Sequence, residues 1–238
     1  MQFAMVVNLT KCIGCHTCSV ACKSQWQLPD GSGRSWLRRY GPAKTSQGVA
    51  YTFYSGRCNH CDRPECIKVC PVPPVSRTFA DEKANRLETI QAAATWKDPL
   101  DGTVQVDTKR CIGCGACVEA CPYGARYLKE GPQRKKVADK CTFCVELLNT
   151  QGEPSCVRNC IVDAITFGDL SDPDSEVSTL VKNGAVRLIS SSVNLGPNVY
   201  YIGEKKDINL LMSEAAPTQL PRVSERRTLL KAIVKLAG

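Results

Sequence analysis

Residues 11–22 read KCIGCHTCSVAC, and residues 110–121 read RCIGCGACVEAC. The two stretches match at most positions, and each spaces its four cysteines as C-x2-C-x2-C-x3-C. The 16 cysteines of the 238-residue chain all fall into four groups: group one is Cys12, Cys15, Cys18 and Cys22; group two is Cys58, Cys61, Cys66 and Cys70; group three is Cys111, Cys114, Cys117 and Cys121; group four is Cys141, Cys144, Cys156 and Cys160. Groups two and four have a longer middle gap, so the alternation of short and long groups indicates a duplicated unit.

The spacing of groups one and three suits an iron–sulfur cubane. Three thiolates two residues apart can wrap a loop around one corner of a [4Fe–4S] cluster, each sulfur reaching a different iron. The fourth cysteine points away from that loop, and in two-cluster bacterial ferredoxins it ligates the other cluster. Gly14, Gly113 and Gly115 let the backbone approach the inorganic sulfides. The sequence therefore predicts four [4Fe–4S] clusters, with iron bound through all sixteen cysteines.

Two other uses of cysteine fit the sequence less well. Disulfides would suit a small secreted protein, but the first residues, MQFAMVVNLTKC, lack the basic region, apolar stretch and cleavage site of a secretory signal. Zinc sites usually take two C-x2-C pairs, and a run of three cysteines at two-residue spacing is unsuited to a tetrahedral ion. No cysteine of the pattern is replaced by Trp or Asp, so a three-iron cluster is not expected.

The charge of the protein fits the same interpretation. A formal net charge of +8 would ordinarily suggest a nucleic-acid or membrane-surface partner. However, a [4Fe–4S] core with four thiolates carries roughly −2, so four clusters would bring the protein near neutrality. We therefore expect no nucleic-acid partner. No run approaches the ~18 apolar residues of a membrane-spanning helix, so no transmembrane span is expected either. The sequence also lacks the common catalytic motifs, and no catalytic residue is predicted.

Between the cysteine groups, hydrophobic patterning predicts short elements. Strands are predicted over residues 3–9, 49–55, 103–107, 164–170, 186–190 and 199–203. Helices are predicted over residues 19–27, within 80–96, and from a cap at Ser171 or Asp172 to Gly184.

Three segments carry no cysteine and have a distinct composition. Residues 29–48 are rich in Gly, Ser, Pro and Arg and predict a surface loop, and the basic residues 131–140 are expected to be exposed. Residues 221–238 hold several basic residues and an apolar face. That face consists of Leu229, Leu230, Ile233, Val234 and Leu236. It is expected to dock on a partner subunit rather than on a membrane surface, and a frayed tail is the remaining alternative.

Five residues beside the cysteines are candidates for tuning a cluster. Lys11, Arg110 and Lys140 each precede the first cysteine of a group, where a cation could offset cluster charge. His16 and His60 adjoin cluster cysteines, but a structural role is the more common use of such a histidine.

The motifs KCIGCHTCSVACK, RCNHCDRPECIKVCP, RCIGCGACVEACPYGARY, KCTFC and EPSCVRNC resemble those of a known family. The sequence is similar over residues 5–203 to the iron–sulfur electron-transfer subunits of the dimethyl sulfoxide reductase family of molybdopterin oxidoreductases. The segments FGDLSDPDSEVSTL and NVYYIG most resemble the subunits of polysulfide, thiosulfate, tetrathionate and respiratory arsenate reductases.

The resemblance implies how the cysteines pair into clusters, because in this family the fourth cysteine of each group crosses over. The implied ligand sets are Cys12, Cys15, Cys18 and Cys160; Cys22, Cys141, Cys144 and Cys156; Cys58, Cys61, Cys66 and Cys121; and Cys70, Cys111, Cys114 and Cys117. The sequence alone does not exclude sequential pairing, in which each group holds its own cluster.

The resemblance also implies an α+β fold built from tandem two-cluster ferredoxin domains. The first would comprise residues 1–50 and 136–170, and the second residues 51–135 with an insertion at 72–101. Residues 171–238 would form a C-terminal extension that docks on a partner.

The implied function is electron transfer without catalysis by this protein. Four clusters would relay electrons between a molybdenum or tungsten bis-pterin catalytic subunit and a quinone-linked membrane subunit or c-type cytochrome. The expected location is the periplasm, reached by export with a signal-bearing partner, and the alternative is the cytoplasm. Two alternative functions stay open: the small subunit of a transhydroxylase-type complex, and a free-standing polyferredoxin.

Overall fold

The computed structural model describes residues 1–81, 85–131, 135–189 and 193–214. The predicted docking face at 221–238 lies outside the described residues. The described chain mixes short helices with short strands, which confirms the predicted α+β class. None of the described helices is long and apolar enough to cross a bilayer.

The strands form one four-stranded sheet and four two-stranded ribbons within the described ranges. They are β1 (Phe3–Asn8), β2 (Ser35–Thr45), β3 (Gly48–Arg57), β4 (Val75–Asp81), β5 (Arg86–Ala92), β6 (Thr95–Lys97), β7 (Val104–Val106), β8 (Tyr127–Glu130), β9 (Lys136–Asp139), β10 (Ile165–Asp169), β11 (Val186–Arg187) and β12 (Val199–Ile202).

Most of the helices are a single turn long and follow a cysteine loop. They are α1 (Thr17–Gln25), α2 (Glu65–Lys68), α3 (Ala116–Glu119), α4 (Leu148–Gln151), α5 (Ser155–Arg158), α6 (Glu176–Lys182) and α7 (Lys205–Glu214), with a 3-10 turn at Val145–Leu147 before α4.

Strand β1 is the centre of the fold. It pairs antiparallel with β10 and parallel with β12, and β11 completes the sheet in the order β10-β1-β12-β11. The apolar run of β1 is buried on both faces, as expected for a strand that is covered on both sides. Met5 and Val7 pack into the main core beside the cysteine loops, whereas Ala4 and Val6 pack against Val177 of α6. The predicted strand over residues 3–9 is confirmed.

The predicted surface loop over residues 29–48 is wrong from Ser35 onward. This segment is β2, which pairs antiparallel with β3 from Ser35↔Arg57 to Thr45↔Gly48, with a register shift between Tyr40 and Ala43. Its Gly, Pro and Arg content suggested a loop, but Trp36 and Tyr40 pack against the main core. Aromatic side chains on one face stabilise a strand more strongly than scattered Gly and Pro weaken it.

The predicted helix within residues 80–96 is also wrong. The insertion is a hairpin of β4 and β5, in register from Val75↔Ala92 to Asp81↔Arg86. The Thr78 and Thr89 hydroxyls lie 2.9 Å apart across it. Helix-forming composition is a weak local preference, and tertiary and cross-strand contacts override it here.

Two further predictions need correction at the level of single residues. The cap of α6 is Ser175, whose Oγ accepts the Ser178 N–H at 3.1 Å, and not Ser171 or Asp172, which lie in the preceding turn. The expected exposure of residues 131–140 is wrong at residues 137–140, which are buried, because β9 pairs with β8 and covers a cysteine loop.

The segment after residue 170 is joined to the first strand. Helix α6 packs on β1 and β10, and β11 and β12 lie in the same sheet as β1. The described part of the region predicted as an extension therefore shares its sheet and core with the N-terminal strand.

Candidate iron–sulfur cluster sites

Three cavities in the described part of the protein are each lined by four cysteines. Each set combines cysteines from two sequence groups. We call these sets quartet one (Cys12, Cys15, Cys18 and Cys160), quartet two (Cys22, Cys141, Cys144 and Cys156) and quartet four (Cys70, Cys111, Cys114 and Cys117).

The remaining cysteines, Cys58, Cys61, Cys66 and Cys121, form quartet three. Burial raises the pKa of Cys66 to about 11, and the nearby thiols of Cys58 and Cys121 act in the same direction. The pKa of Cys61 is raised by burial and by the same two neighbours. Cys58, Cys61 and Cys121 also pack in one hydrophobic core cluster, which places these thiols in a poorly solvated region.

Backbone amides point at several of these sulfurs. The N–H···Sγ contacts are Ala164 to Cys160 at 3.2 Å, Phe143 to Cys141 at 3.4 Å, Ala138 to Cys111 at 3.4 Å and Ala125 to Cys121 at 3.5 Å. One such contact thus serves each quartet. Amide donors of this kind stabilise a thiolate and tune the redox potential of a bound cluster.

The quartets differ in their exposure to solvent. Cys15 of quartet one and Cys114 of quartet four are exposed, whereas all four cysteines of quartet two are buried. The Thr17 hydroxyl lies 3.3 Å from the Cys15 Sγ and lowers the pKa of that thiol. Exposed apolar side chains, Ile13 and Ile112, stand beside these two surface quartets. Quartets one and four are therefore the ones that reach the surface of the described protein.

Three buried cations lie among the quartets. Arg57, Lys140 and Arg126 are 0%, 1% and 3% exposed. Among the described residues, no carboxylate forms an ion pair with any of them. An uncompensated buried charge is costly. An anionic thiolate-bound cluster in the adjacent quartets would balance these buried positive charges. The residues present are therefore suited to hold [4Fe–4S] clusters.

The sequence singled out only one of these cations. Lys140 was a candidate because it precedes the first cysteine of group four, and the same signal would have found Arg57, which precedes Cys58. Lys11 and Arg110 share that position but are not fully buried: Lys11 is exposed, and Arg110 donates to the Ala92 carbonyl at 2.9 Å.

The two histidines differ in their surroundings. His16 is exposed at the start of α1. His60 is fully buried, stacks on Phe143 with ring centroids 3.9 Å apart, and accepts the Val104 N–H at 3.0 Å through Nδ1. Burial lowers the pKa of His60 well below its usual value. These contacts give His60 a packing role between β7 and the group-four loop.

The sequence matches known iron–sulfur proteins over most of its length. Two models of a 4Fe-4S dicluster domain match, one over residues 49–170 and one over residues 11–73. A tetrathionate reductase subunit of Salmonella typhimurium is 36% identical over 91% of this chain and 78% of that protein.

Two further relatives carry similar names. A polysulfide reductase component of Wolinella succinogenes is 30% identical over 86% of this chain and 96% of that protein. The thiosulfate reductase electron transfer subunit of Salmonella typhi is 36% identical over 73% of this chain and 79% of that protein. At this similarity the protein belongs with them to the iron–sulfur electron-transfer subunits of the molybdopterin oxidoreductases, and it carries four [4Fe–4S] clusters.

Proposed function

We propose that each quartet holds one cluster, so that groups one and four share two clusters and groups two and three share the other two. The observation that carries this assignment is that the cavities are lined by quartets drawn from two groups rather than by single sequence groups. The same pairing supports a division into a first domain of residues 1–50 and 136–170 and a second domain of residues 51–135.

We further propose that the protein relays single electrons through quartets one, two, three and four in that order. Exposed cysteines occur in quartets one and four, which supports entry and exit at these two ends. The relatives are subunits of reductases, which supports a molybdenum or tungsten bis-pterin catalytic subunit at one end. The other end would meet a quinone-linked membrane subunit or a c-type cytochrome.

The residues of this protein bind the clusters, shield them from water and tune their reduction potentials, and they do not act as catalytic groups. The bound clusters supply one-electron redox chemistry. The thiolates fix their positions, the buried side chains around quartet two keep water out, and the amide donors and buried cations set the local electrostatic potential. Substrate chemistry would belong to the partner. We place the working complex in the periplasm, exported with a signal-bearing partner.

Native protein purified without oxygen tests this function directly. We expect about sixteen irons per chain and stoichiometric molybdenum or tungsten in a larger companion. The same iron content in a lone chain without a second metal would contradict the complex and favour a free polyferredoxin. Zinc in place of iron would overturn the cluster assignment.

Two glycine-to-alanine variants, one of them a control, test the packing of the quartet-four loop. Gly113 has φ +70°, and a Cβ there would overlap the Lys136 carbonyl oxygen. Since backbone cannot move aside cheaply, Gly113→Ala is expected to lose the quartet-four cluster, about a quarter of the iron. Iron content and the visible absorbance of the protein would measure this.

The matched control is Gly152→Ala. Gly152 has nearly the same backbone angle, φ +73°, but a Cβ there meets nothing within 4 Å. This variant should lose only about 1–2 kcal/mol for the left-handed backbone and keep its iron. Equal iron loss in both variants would show that backbone strain alone, and not the contact with β9, controls the loop.

A further inference from the structure

We infer that Arg57, Lys140 and Arg126 occupy the three gaps between consecutive quartets, one cation to each gap, and that each raises the reduction potentials of the two clusters beside it. This inference rests on the proposed assignment of quartets to clusters. The three side chains come from different elements, at the end of β3, after β9 and before β8. Their placement follows the order of the quartets.

Arg57 lies between quartets one and two. Its Nη1 is 3.3 Å from the Cys156 Sγ of quartet two. Its Nη2 donates to the Ser55 hydroxyl, whose Oγ is 3.7 Å from the Cys18 Sγ of quartet one. Burial alone would lower the pKa of Arg57, but the thiols of Cys156 and Cys18 raise it. The guanidinium thus faces sulfurs of both quartets.

Lys140 lies between quartets two and three. Its Nζ donates to the Cys141 carbonyl at 2.8 Å, which ties it to the quartet-two loop, and also to the Val104 carbonyl. Val104 in turn donates its N–H to the His60 Nδ1 at 3.0 Å, and His60 lies between Cys58 and Cys61 of quartet three. The side chain is therefore anchored beside one quartet and faces the next.

Arg126 lies between quartets three and four. Its side chain lines the cavity of quartet four together with Cys117. Its Nη2 donates to the Thr95 hydroxyl at 2.9 Å, which fixes the guanidinium. The preceding residue, Ala125, donates its N–H to the Cys121 Sγ of quartet three at 3.5 Å, so Arg126 lies beside that quartet as well.

Because no carboxylate among the described residues pairs with these three cations, their charges are available to the clusters. Other buried or half-buried arginines are neutralised by acids: Arg34 pairs with Asp139 at 2.8 Å, and Arg77 pairs with Asp107 at 2.8 Å. A positive charge in a poorly solvated gap stabilises an added electron on either side of it. One shared cation therefore raises the reduction potentials of two neighbouring clusters together. The two potentials stay close to each other, which favours electron transfer between the clusters.

The test replaces each cation by methionine, which keeps the length of the side chain and removes its charge. Redox titration of the anaerobic complex, followed by electron paramagnetic resonance, gives a midpoint potential for each cluster. Signals are assigned with one Cys→Ala variant per quartet. Arg57→Met should lower the potentials of the clusters in quartets one and two. Lys140→Met should lower those of the clusters in quartets two and three, and Arg126→Met those of the clusters in quartets three and four.

Conservative and surface variants separate charge from structure. Arg57→Lys, Arg126→Lys and Lys140→Arg keep the charge and should leave the potentials close to those of the wild-type protein. Lys182→Met, which removes a cation at the end of α6 away from the quartets, should shift none of them. A shift confined to one cluster, or spread equally over all four, would overturn the inference.

Cluster loss in a variant still gives a decisive result. If Arg57→Met loads less iron, the loss should be about half of the total, from the two clusters beside it, and Arg57→Lys should restore it. Loss of any other set of clusters, or no restoration by lysine, would contradict the shared-cation role. A wild-type protein without four clusters would instead overturn the proposed function itself, so the two failures are distinguishable.

Discussion

Replacing Cys12 and Cys160 together by alanine is expected to remove about four irons per chain, no more than either single replacement removes. The reason is that both cysteines line the same cavity, so loss of either thiolate already leaves that cluster incomplete. Iron analysis of the anaerobically purified single and double variants measures this directly. Electron transfer through the protein should stop in all three variants, because the relay loses its first cluster.

The reciprocal double variant is the control. Cys18 and Cys22 belong to one sequence group but to different quartets, so replacing both should remove about eight irons. Sequential pairing of the groups predicts the opposite pair of numbers, about eight for Cys12 with Cys160 and about four for Cys18 with Cys22. That reversed pattern would exclude the crossed assignment.

The second large effect concerns a buried ion pair near quartet two. Asp139 of β9 accepts hydrogen bonds from Arg34 at 2.8 and 3.1 Å and from the Tyr127 hydroxyl, and it lies 3.2 Å from the Lys129 Nζ. Burial alone would raise the pKa of Asp139, but Arg34 holds it below its usual value. Asp139→Ala leaves the Arg34 charge buried without its partner, so we expect a loss of about 3–5 kcal/mol.

Urea unfolding of the loaded protein, followed by circular dichroism, would show this loss as a shift of the midpoint by roughly 1–2 M. The control is Asp30→Ala, which removes an exposed ion pair with Lys23. Exposed pairs contribute about 0–1 kcal/mol, so this midpoint should hardly move. Similar shifts in the two variants would mean that the Arg34–Asp139 pair contributes little beyond a surface contact.

The features that sequence predicted best are those encoded by local spacing. The cysteine groups are visible because their ligands lie two or three residues apart, and β1 is visible because a doubly covered strand is an unbroken apolar run. The α+β class and the four clusters followed from these features and from the family resemblance, and both are confirmed.

The features that sequence missed depend on contacts across the fold. The strand β2 has loop-like composition and is stabilised by its pairing with β3 and by Trp36 on the core. The insertion has helical composition and is a hairpin. Arg57 and Arg126 carry a charge that usually predicts exposure, and only the folded protein shows that both are enclosed beside thiols.

The position of β1 has a consequence for how the protein is made. Its two neighbours, β10 and β12, end at residues 169 and 202. Strand β1 therefore cannot complete its pairing until almost the whole described chain has been translated. At about 5–20 residues per second, that delay is about 10–40 s. Quartets three and four draw their cysteines from residues 58–121, whereas quartets one and two need Cys160 and Cys156. Under the proposed assignment, all iron ligands of the two middle clusters are therefore synthesised before those of the two clusters that use the N-terminal cysteines.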